Sequence, residues 1–367
     1  MKHLHDTLRR LDEGRNLRHI PPHTVGSDLI DLSSNDYLGL GARADLRREF
    51  LDSVGADMPA FTSSASRLLA SDQAEYSALE SLLRSLYGRE VLIFNSGYHA
   101  NVGAIASLAD DGHTLIVADK LVHASIIDGA RLSGAPMERF RHNDMVHLER
   151  ILARRANGFD RVLIVTESVF SMDGDTAPID DIIAIKRHYP QALLYVDEAH
   201  AFGVKGPQGL GLCQGRSEVD FIVGTLGKAA ASVGAFIVTS GDCRDYLLNR
   251  ARSFVFSTAI PPVNCAWSRF LIGKIVDMDA ERRHLAELGE LLRGFTGAPE
   301  ASHIQPLITG SAASALALSD RLRDAGFKVL AIRTPTVPPG TERLRFSLSA
   351  ALSTNDLRRL NETAISL

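Results

Sequence analysis

Val223-Gly224-Thr225-Leu226-Gly227-Lys228-Ala229 follows the apolar run Phe221-Ile222-Val223 and sets one lysine among small residues, with Gly227 before it and Ala229, Ala230 and Ala231 after it. Little bulk blocks a flat ligand there, and an apolar setting favours the neutral, nucleophilic amine. Taken alone, such a lysine reads as a surface residue after a strand. A nucleotide-hydrolase phosphate loop is excluded. Only Thr225 and Leu226 separate Gly224 from Gly227 where four residues are needed, and Ala229 stands where that loop has a hydroxyl residue.

A second segment decides between the two readings. Ala192-Leu193-Leu194-Tyr195-Val196 has the composition of a buried strand and runs into Asp197-Glu198-Ala199-His200. An acid and an imidazole just past the carboxyl end of a strand sit where open α/β sheets bind ligands. Lys228 follows about one strand-connection-strand unit later, so both groups can face one crevice. A lysine, an aspartate and a histidine on neighbouring strand ends meet the needs of pyridoxal 5'-phosphate: an amine for its aldehyde, an anion for its ring nitrogen and a donor for its phenolic oxygen.

Apolar runs at Val91-Phe94, Leu115-Val117, Val162-Val165, Leu193-Val196, Phe221-Val223 and Ala235-Val238 alternate with helical patterns such as Asp144-Ala156 and Asp180-Tyr189. The alternation predicts an α/β domain with a mainly parallel sheet covered by helices on both faces. Asp72 to Tyr87 reads as a helix, with Asp72 and Glu75 as a capping box and Gly88 as its stop. After Pro261-Pro262 the pattern changes to a long helix over Val263 to Arg293, then Ile304-Ile308, a helix near Ala312-Ala325, and strands at Val329-Ile332 and Leu344-Leu348. We therefore expect an N-terminal segment over 1–40, a large domain over 41–262 and a smaller α+β domain over 263–367. Within the first, Leu4, Leu8 and Leu11 have helical spacing, Pro21-Pro22 ends that helix, and Leu29-Leu32 is a short strand.

A formal charge of −4 with scattered basic residues argues against nucleic acid and anionic membrane as partners. Cys213, Cys243 and Cys265 are too few and too far apart for a disulfide framework or a zinc site. Neither a signal peptide nor a transmembrane run is expected, so the predicted location is the cytoplasm.

Other candidates follow strand ends. Asn95-Ser96-Gly97-Tyr98-His99-Ala100-Asn101 opens a helix and makes a candidate phosphate seat, where plain turn chemistry is the bland alternative. His123 is placed to stack on a flat ring, or is simply a polar loop residue. The run Thr166 to Asp175 lacks the ligand alternation of a calcium loop, so no metal is expected, and Ser171 is read as a hydrogen-bonding group. Ser257 and Thr258 offer two more hydroxyls, whose role spacing does not assign.

Together these segments resemble the α-oxoamine synthases, pyridoxal-phosphate enzymes of the aspartate-aminotransferase fold. The likeness runs from Ser33-Ser34-Asn35-Asp36-Tyr37-Leu38-Gly39 through His123-Ala124-Ser125, Phe170-Ser171-Met172-Asp173-Gly174, Val196-Asp197-Glu198-Ala199-His200 and Thr225-Leu226-Gly227-Lys228. It implies decarboxylative joining of an amino acid to an acyl thioester. By the same likeness Lys228 carries the cofactor, Asp197 holds its ring-nitrogen proton, His200 bonds its phenolic oxygen and His123 stacks on the ring. Ser96, Gly97, Tyr98, Ser171 and Thr225 fall at cofactor contacts. Ser257 and Thr258 reach the phosphate of the neighbouring subunit, so a homodimer with shared active sites is implied.

Within the family, Ile304-Ile308 and Ala331-Pro338 look most like the branch that condenses L-alanine with a pimeloyl thioester, on coenzyme A or an acyl carrier protein. The matching substrate positions are Arg18, Asn35, His123, Thr336 and Arg345. Two departures stand out: Phe61-Arg67 lacks the usual glycines, and Glu198 replaces a common second aspartate. Still open are a relative acting on glycine with acetyl-CoA or serine with a long acyl-CoA, and a catalytically silent cofactor-binding protein. A nucleotide-binding α/β protein is opposed by the lack of a Gly-x-Gly-x-x-Gly turn after the first strand.

Overall fold

The computed structural model describes residues 2–18, 20, 29–71 and 73–365. Two compact units form: Leu38–Phe170 with Thr176–Arg282, and Met1–Tyr37 with Ser171–Asp175 and Arg283–Leu367.

The larger unit is built on seven strands in the order Glu90–Phe94, Ala235–Thr239, Phe221–Thr225, Ala192–Asp197, Arg161–Glu167, Thr114–Asp119, Met137–Phe140. Pairing is parallel from Phe221–Thr225 onward, and Ala235–Thr239 is antiparallel to both its neighbours. The central strands are buried along their length, which is why they read as continuous apolar runs. Alternate residues such as Leu163 and Val165, or Val223 and Phe221, share one core with Ala100, Ala104 and Ile105 of the helix Gly97–Leu108 and with Ile126 of the helix Ala124–Ser133.

Two expectations change in detail. Met137–Phe140 is a strand that the apolar pattern missed, since it lies at the sheet edge and only Phe140 is buried. The single helix expected over Val263 to Arg293 is two helices, Pro262–Ile275 and Asp279–Thr296, and the unit boundary falls inside the second. The first of them packs on the helix Ala74–Tyr87 of the larger unit. That helix ends at Gly88 in the left-handed conformation, with its N–H on Arg84 O at 2.8 Å. Asp72, proposed for its cap, and Pro21-Pro22 lie outside the described residues.

In the smaller unit, Arg343–Ser347 is the central strand of an antiparallel sheet between Leu330–Ile332 and Ile304–Ile308. Ile30–Asp31 pairs in parallel with Phe327–Lys328. The segment Ser171–Asp175 is held by this unit. Arg345 Nε donates to Ser171 O at 2.6 Å, Arg343 pairs with Asp173, and a Cβ on Gly174 would come within 1.9 Å of Ile304 O.

The turn after Asp197 is anchored by Glu198, which is 1% exposed. Its Oε1 accepts from the amides of Leu212 (2.7 Å) and Cys213 (3.2 Å), and Gly211, at φ 92°, leaves room for Oε2, which a Cβ would approach to 2.1 Å. Burial pushes the Glu198 carboxyl up to about 7, ahead of the opposing pull of these amides. A folded-state value raised above the unfolded one adds stability that is complete below the unfolded value and is lost as pH rises through about 7. Glu198→Gln should therefore gain on the parent by on the order of 3 kcal/mol between pH 4.5 and pH 8.5. Chemical unfolding at both pH values checks this, and a pH-independent difference contradicts it.

Candidate active site

Strand termination delivers the reactive side chains of the larger unit. Asp197 is the last residue of Ala192–Asp197, and Lys228 follows Phe221–Thr225, the neighbouring parallel strand. His200 sits in the turn beyond Asp197 and is 5% exposed, as is Asp197 itself. Lys228 Nζ donates to His200 Nε2 at 2.8 Å, so two of the expected residues meet directly.

Asp197 is satisfied on both oxygens: Oδ1 accepts from Ala199 N at 2.9 Å and Oδ2 from Asn101 Nδ2 at 2.7 Å. Asn101 Nδ2 also reaches Ser125 Oγ at 2.9 Å, and Tyr195 OH donates to Asn101 Oδ1 at 2.8 Å. Ser125 Oγ lies 2.7 Å from His123 Nδ1, which also accepts from Ser125 N at 3.2 Å. His123 is the N-cap of the helix Ala124–Ser133, held on one side by these contacts while the rest of its ring opens to solvent. Desolvation of the held side lowers its pKa, with Asp197 pulling the other way.

Glu167, at the end of the strand beside Asp197, is 3% exposed. Burial, then the neighbouring Asp197 charge, raise its pKa well above the usual carboxyl range. Sequence reasoning missed Glu167, Asn101 and Ser125 as site residues, and Tyr195 as the buttress of Asn101 behind them. The available signal was a polar side chain set in an apolar run: Asn101 among Ala100, Ala104 and Ile105, and Tyr195 inside a buried strand.

Ser96 caps the helix Gly97–Leu108, accepting from His99 N at 3.2 Å. The amides of Gly97 and Tyr98 take no acceptor among the described residues, so the helix end offers two free donors. A Cβ on Gly97 would meet only Thr225, at 3.9 Å, so packing does not demand glycine there. Thr225 Oγ1 donates to Gly234 O at 3.2 Å and accepts from Gly227 N at 3.3 Å, fixing the turn before Lys228. Tyr98 turns its phenol outward onto Asp128 Oδ2, 2.7 Å away. This donor set fits pyridoxal phosphate: an amine, a buried carboxylate for the ring nitrogen, an imidazole with an open face, and free amides at a helix N-terminus.

Thr258 has an exposed side chain, while its backbone bridges Ser66 and its carbonyl accepts from Asn95 Nδ2 at 2.5 Å; Ser257 is half-buried. The glycine-poor loop is tied nearby by hydroxyls, Ser63 Oγ donating to Ile260 O at 2.9 Å, and by Arg67, which pairs with Glu80 at 3.0 Å.

The remaining expected residues belong to the smaller unit. Arg345 is 4% exposed, and its Nη2 reaches Asn35 Oδ1 at 3.2 Å and Tyr37 OH at 3.5 Å. With the carbonyl of Ser171 these are neutral oxygens, and no carboxylate pairs with Arg345 among the described residues. Burial pushes the Tyr37 phenol up to about 12, so it too is neutral. Arg18 Nη2 donates to Thr336 Oγ1 at 3.0 Å, both side chains being exposed.

The model of the aminotransferase class I and II family matches residues 27–363. A Pasteurella multocida protein provisionally named 8-amino-7-oxononanoate synthase is 47% identical over 341 residues, covering 90% of this chain and 88% of its own. A solved serine palmitoyltransferase of S. paucimobilis with bound PLP–myriocin superposes with a TM-score of 0.89 at 27% identity, over 99% of this chain and 96% of that one. The crystal structure of 8-amino-7-oxononanoate synthase from Francisella tularensis gives 0.78 at 27% identity, over 92% and 97%. The chain belongs to the class I and II aminotransferase family and, within it, to the α-oxoamine synthases, which makes it a pyridoxal-phosphate-dependent acyltransferase.

Proposed function

We propose that this enzyme condenses L-alanine with a pimeloyl thioester, carried by coenzyme A or an acyl carrier protein, to give 8-amino-7-oxononanoate, the biotin-pathway reaction. Arg345 carries the amino-acid half of the reading. A buried guanidinium whose partners are all neutral calls for an anion, and an α-carboxylate matches its planar donor edge bidentately. Asn35, sharing Nη2, orients the same edge. For the acyl half, the exposed Arg18–Thr336 pair supplies a cation and a hydroxyl of the kind that the distal carboxylate of a pimeloyl chain requires.

Bound pyridoxal phosphate supplies an electron sink that stabilises negative charge at the amino-acid α-carbon. Lys228 Nζ would be the attachment point for the cofactor and its amine would move the α-proton, with His200 Nε2 2.8 Å away to hold it in place. Asp197 stabilises the proton on the ring nitrogen, and Asn101 and the Ala199 amide hold that carboxylate still. The open face of His123 would hold the ring, and the amides of Gly97 and Tyr98 would receive the phosphate, with Ser96 and Thr225 of the same unit as further hydroxyl donors. A carbon–carbon bond forms between the alanine α-carbon and the thioester carbonyl carbon, the thiol leaves, and the α-carboxylate departs as carbon dioxide.

The enzyme acts in the cytoplasm as a homodimer, Ser257 and Thr258 of each subunit completing the phosphate site of the other. Serine with a long acyl-CoA is a second reading, favoured by the fold match to serine palmitoyltransferase. The 47% identity to the Pasteurella protein weighs toward alanine.

Borohydride reduction of the loaded enzyme should fix the cofactor on a peptide containing Lys228, and label on any other lysine refutes that assignment. Asp197→Asn should retain some cofactor but lose turnover roughly ten- to a hundredfold, as expected when a hydrogen bond to a charged group is lost; activity like the parent's contradicts the pairing. On a preparation sized by light scattering as a dimer, thiol release should be faster with alanine and pimeloyl-CoA than with glycine and acetyl-CoA or serine and palmitoyl-CoA. Thr336→Val and Arg18→Ala should each erode that preference by roughly tenfold. A monomer, a faster rival pair, or unchanged selectivity overturns the corresponding part.

A further inference from the structure

Asp197 and His123 lie on different strand connections, yet one side chain contacts the first and reaches the second through a single hydroxyl. Asn101 stands one turn into the helix Gly97–Leu108 and is 1% exposed. Such an amide, set among alanines and isoleucine, is costly to bury unless all its hydrogen-bonding capacity is met. It is met. The carboxylate of Asp197 only accepts, so the nitrogen of Asn101 must face it, at 2.7 Å, leaving the oxygen for the Tyr195 hydroxyl at 2.8 Å. The second proton on that nitrogen goes to Ser125 Oγ at 2.9 Å, and Ser125 in turn directs its own proton to His123 Nδ1 at 2.7 Å. The amide of Ser125 donates to the same nitrogen, so Nδ1 is an acceptor and the imidazole is neutral with its proton on Nε2.

The backbone holds this relay rigid. Gly129, in the helix that His123 caps, faces the Asn101 turn so closely that a Cβ there would lie 3.0 Å from Asn101 O and 3.2 Å from Val102 Cα. The same helix that carries Asn101 also ends in the free amides of Gly97 and Tyr98, so one rigid element carries contacts for both ends of a flat phosphorylated ring.

We infer that Asn101 is a positioning residue for cofactor binding: its amide sets the Asp197 carboxylate and, through the Ser125 hydroxyl, the His123 imidazole in register with the helix end at Gly97. This rests on the reading that Asp197 and His123 hold the ring, but it concerns binding and not turnover, so a wrong substrate assignment leaves it untouched.

The test uses the full chain with three measurements: equilibrium dialysis of pyridoxal phosphate, the titration of His123 followed by nitrogen-15 signals in the cofactor-free protein, and the melting temperature. Asn101→Ala should weaken cofactor binding roughly ten- to a hundredfold, the size of a hydrogen bond to a charged group, and raise the His123 titration midpoint. Tyr195→Phe removes the contact on the Asn101 oxygen and neither donation, so it should lower the melting temperature comparably while binding stays within about threefold of the parent. Ser125→Ala should raise the His123 midpoint and weaken binding by less than Asn101→Ala does, because the Asn101–Asp197 contact remains. Should Asn101→Ala fail to fold, Asn101→Ser takes its place with the same expectation for binding, and Ser125→Ala decides the His123 half alone. Equal affinity losses in the Asn101 and Tyr195 variants would mean that Asn101 acts only through stability. Parent-like affinity on removing the amide, or a His123 titration unmoved by the loss of the Ser125 hydroxyl, overturns the inference as directly.

Discussion

A carboxylate buried at the end of a parallel strand is the constraint on which the larger unit turns. Asp197 is 5% exposed, and both its oxygens are held, one by the Ala199 amide and one by Asn101. Removing a carboxylate from water is expensive unless every lone pair that matters is bonded. The surroundings meet that cost with neutral donors. Glu167 sits directly across the register from Asp197, where two negative charges would repel, and burial and that neighbouring charge raise its pKa. Lys228 and His200, in the connections after this strand and the next, already share a hydrogen bond.

The smaller unit handles the opposite sign by the same rule. Arg345 is buried against a backbone carbonyl, a side-chain amide and a phenol, which accept from its Nε and Nη2 without neutralising its charge. The adjacent Arg343 is neutralised, by Asp173. Two arginines two residues apart on one strand thus have different electrostatic states. Both clamp the segment Ser171–Asp175, and Arg345 does so without a carboxylate partner among the described residues, a charge suited to an anionic ligand. Glycine at position 174 permits the clamp, because any side chain there would collide with the Ile304 carbonyl.

Similarity to known proteins sets the level at which chemistry is shared. Serine palmitoyltransferase and 8-amino-7-oxononanoate synthase both superpose on nearly the whole chain, so fold alone does not choose between their substrates. The proposed function therefore assigns the choice of acyl chain and amino acid to side chains such as Arg18, Thr336 and Asn35, outside the sheet that presents Lys228.

The sequence by itself determined the α/β class, the central strands and the spacing of Lys228, Asp197 and His200. Those follow from local physics: buried parallel strands must be continuously apolar, and reactive groups follow strand ends. Tertiary structure decided what depends on neighbours distant in the chain. Met137–Phe140 is a strand because it finds Thr114–Asp119 to pair with, though its own pattern is half polar. The break between Ile275 and Asp279 was invisible, as no glycine or proline marks it. Asn101 had no assigned role until the fold set it beside Asp197 and Ser125, and Glu167 none beyond the rejected calcium loop until the register buried it next to Asp197. A hydrogen bond between residues nearly a hundred positions apart leaves no periodicity to read, and only the folded chain shows which polar groups must satisfy one another.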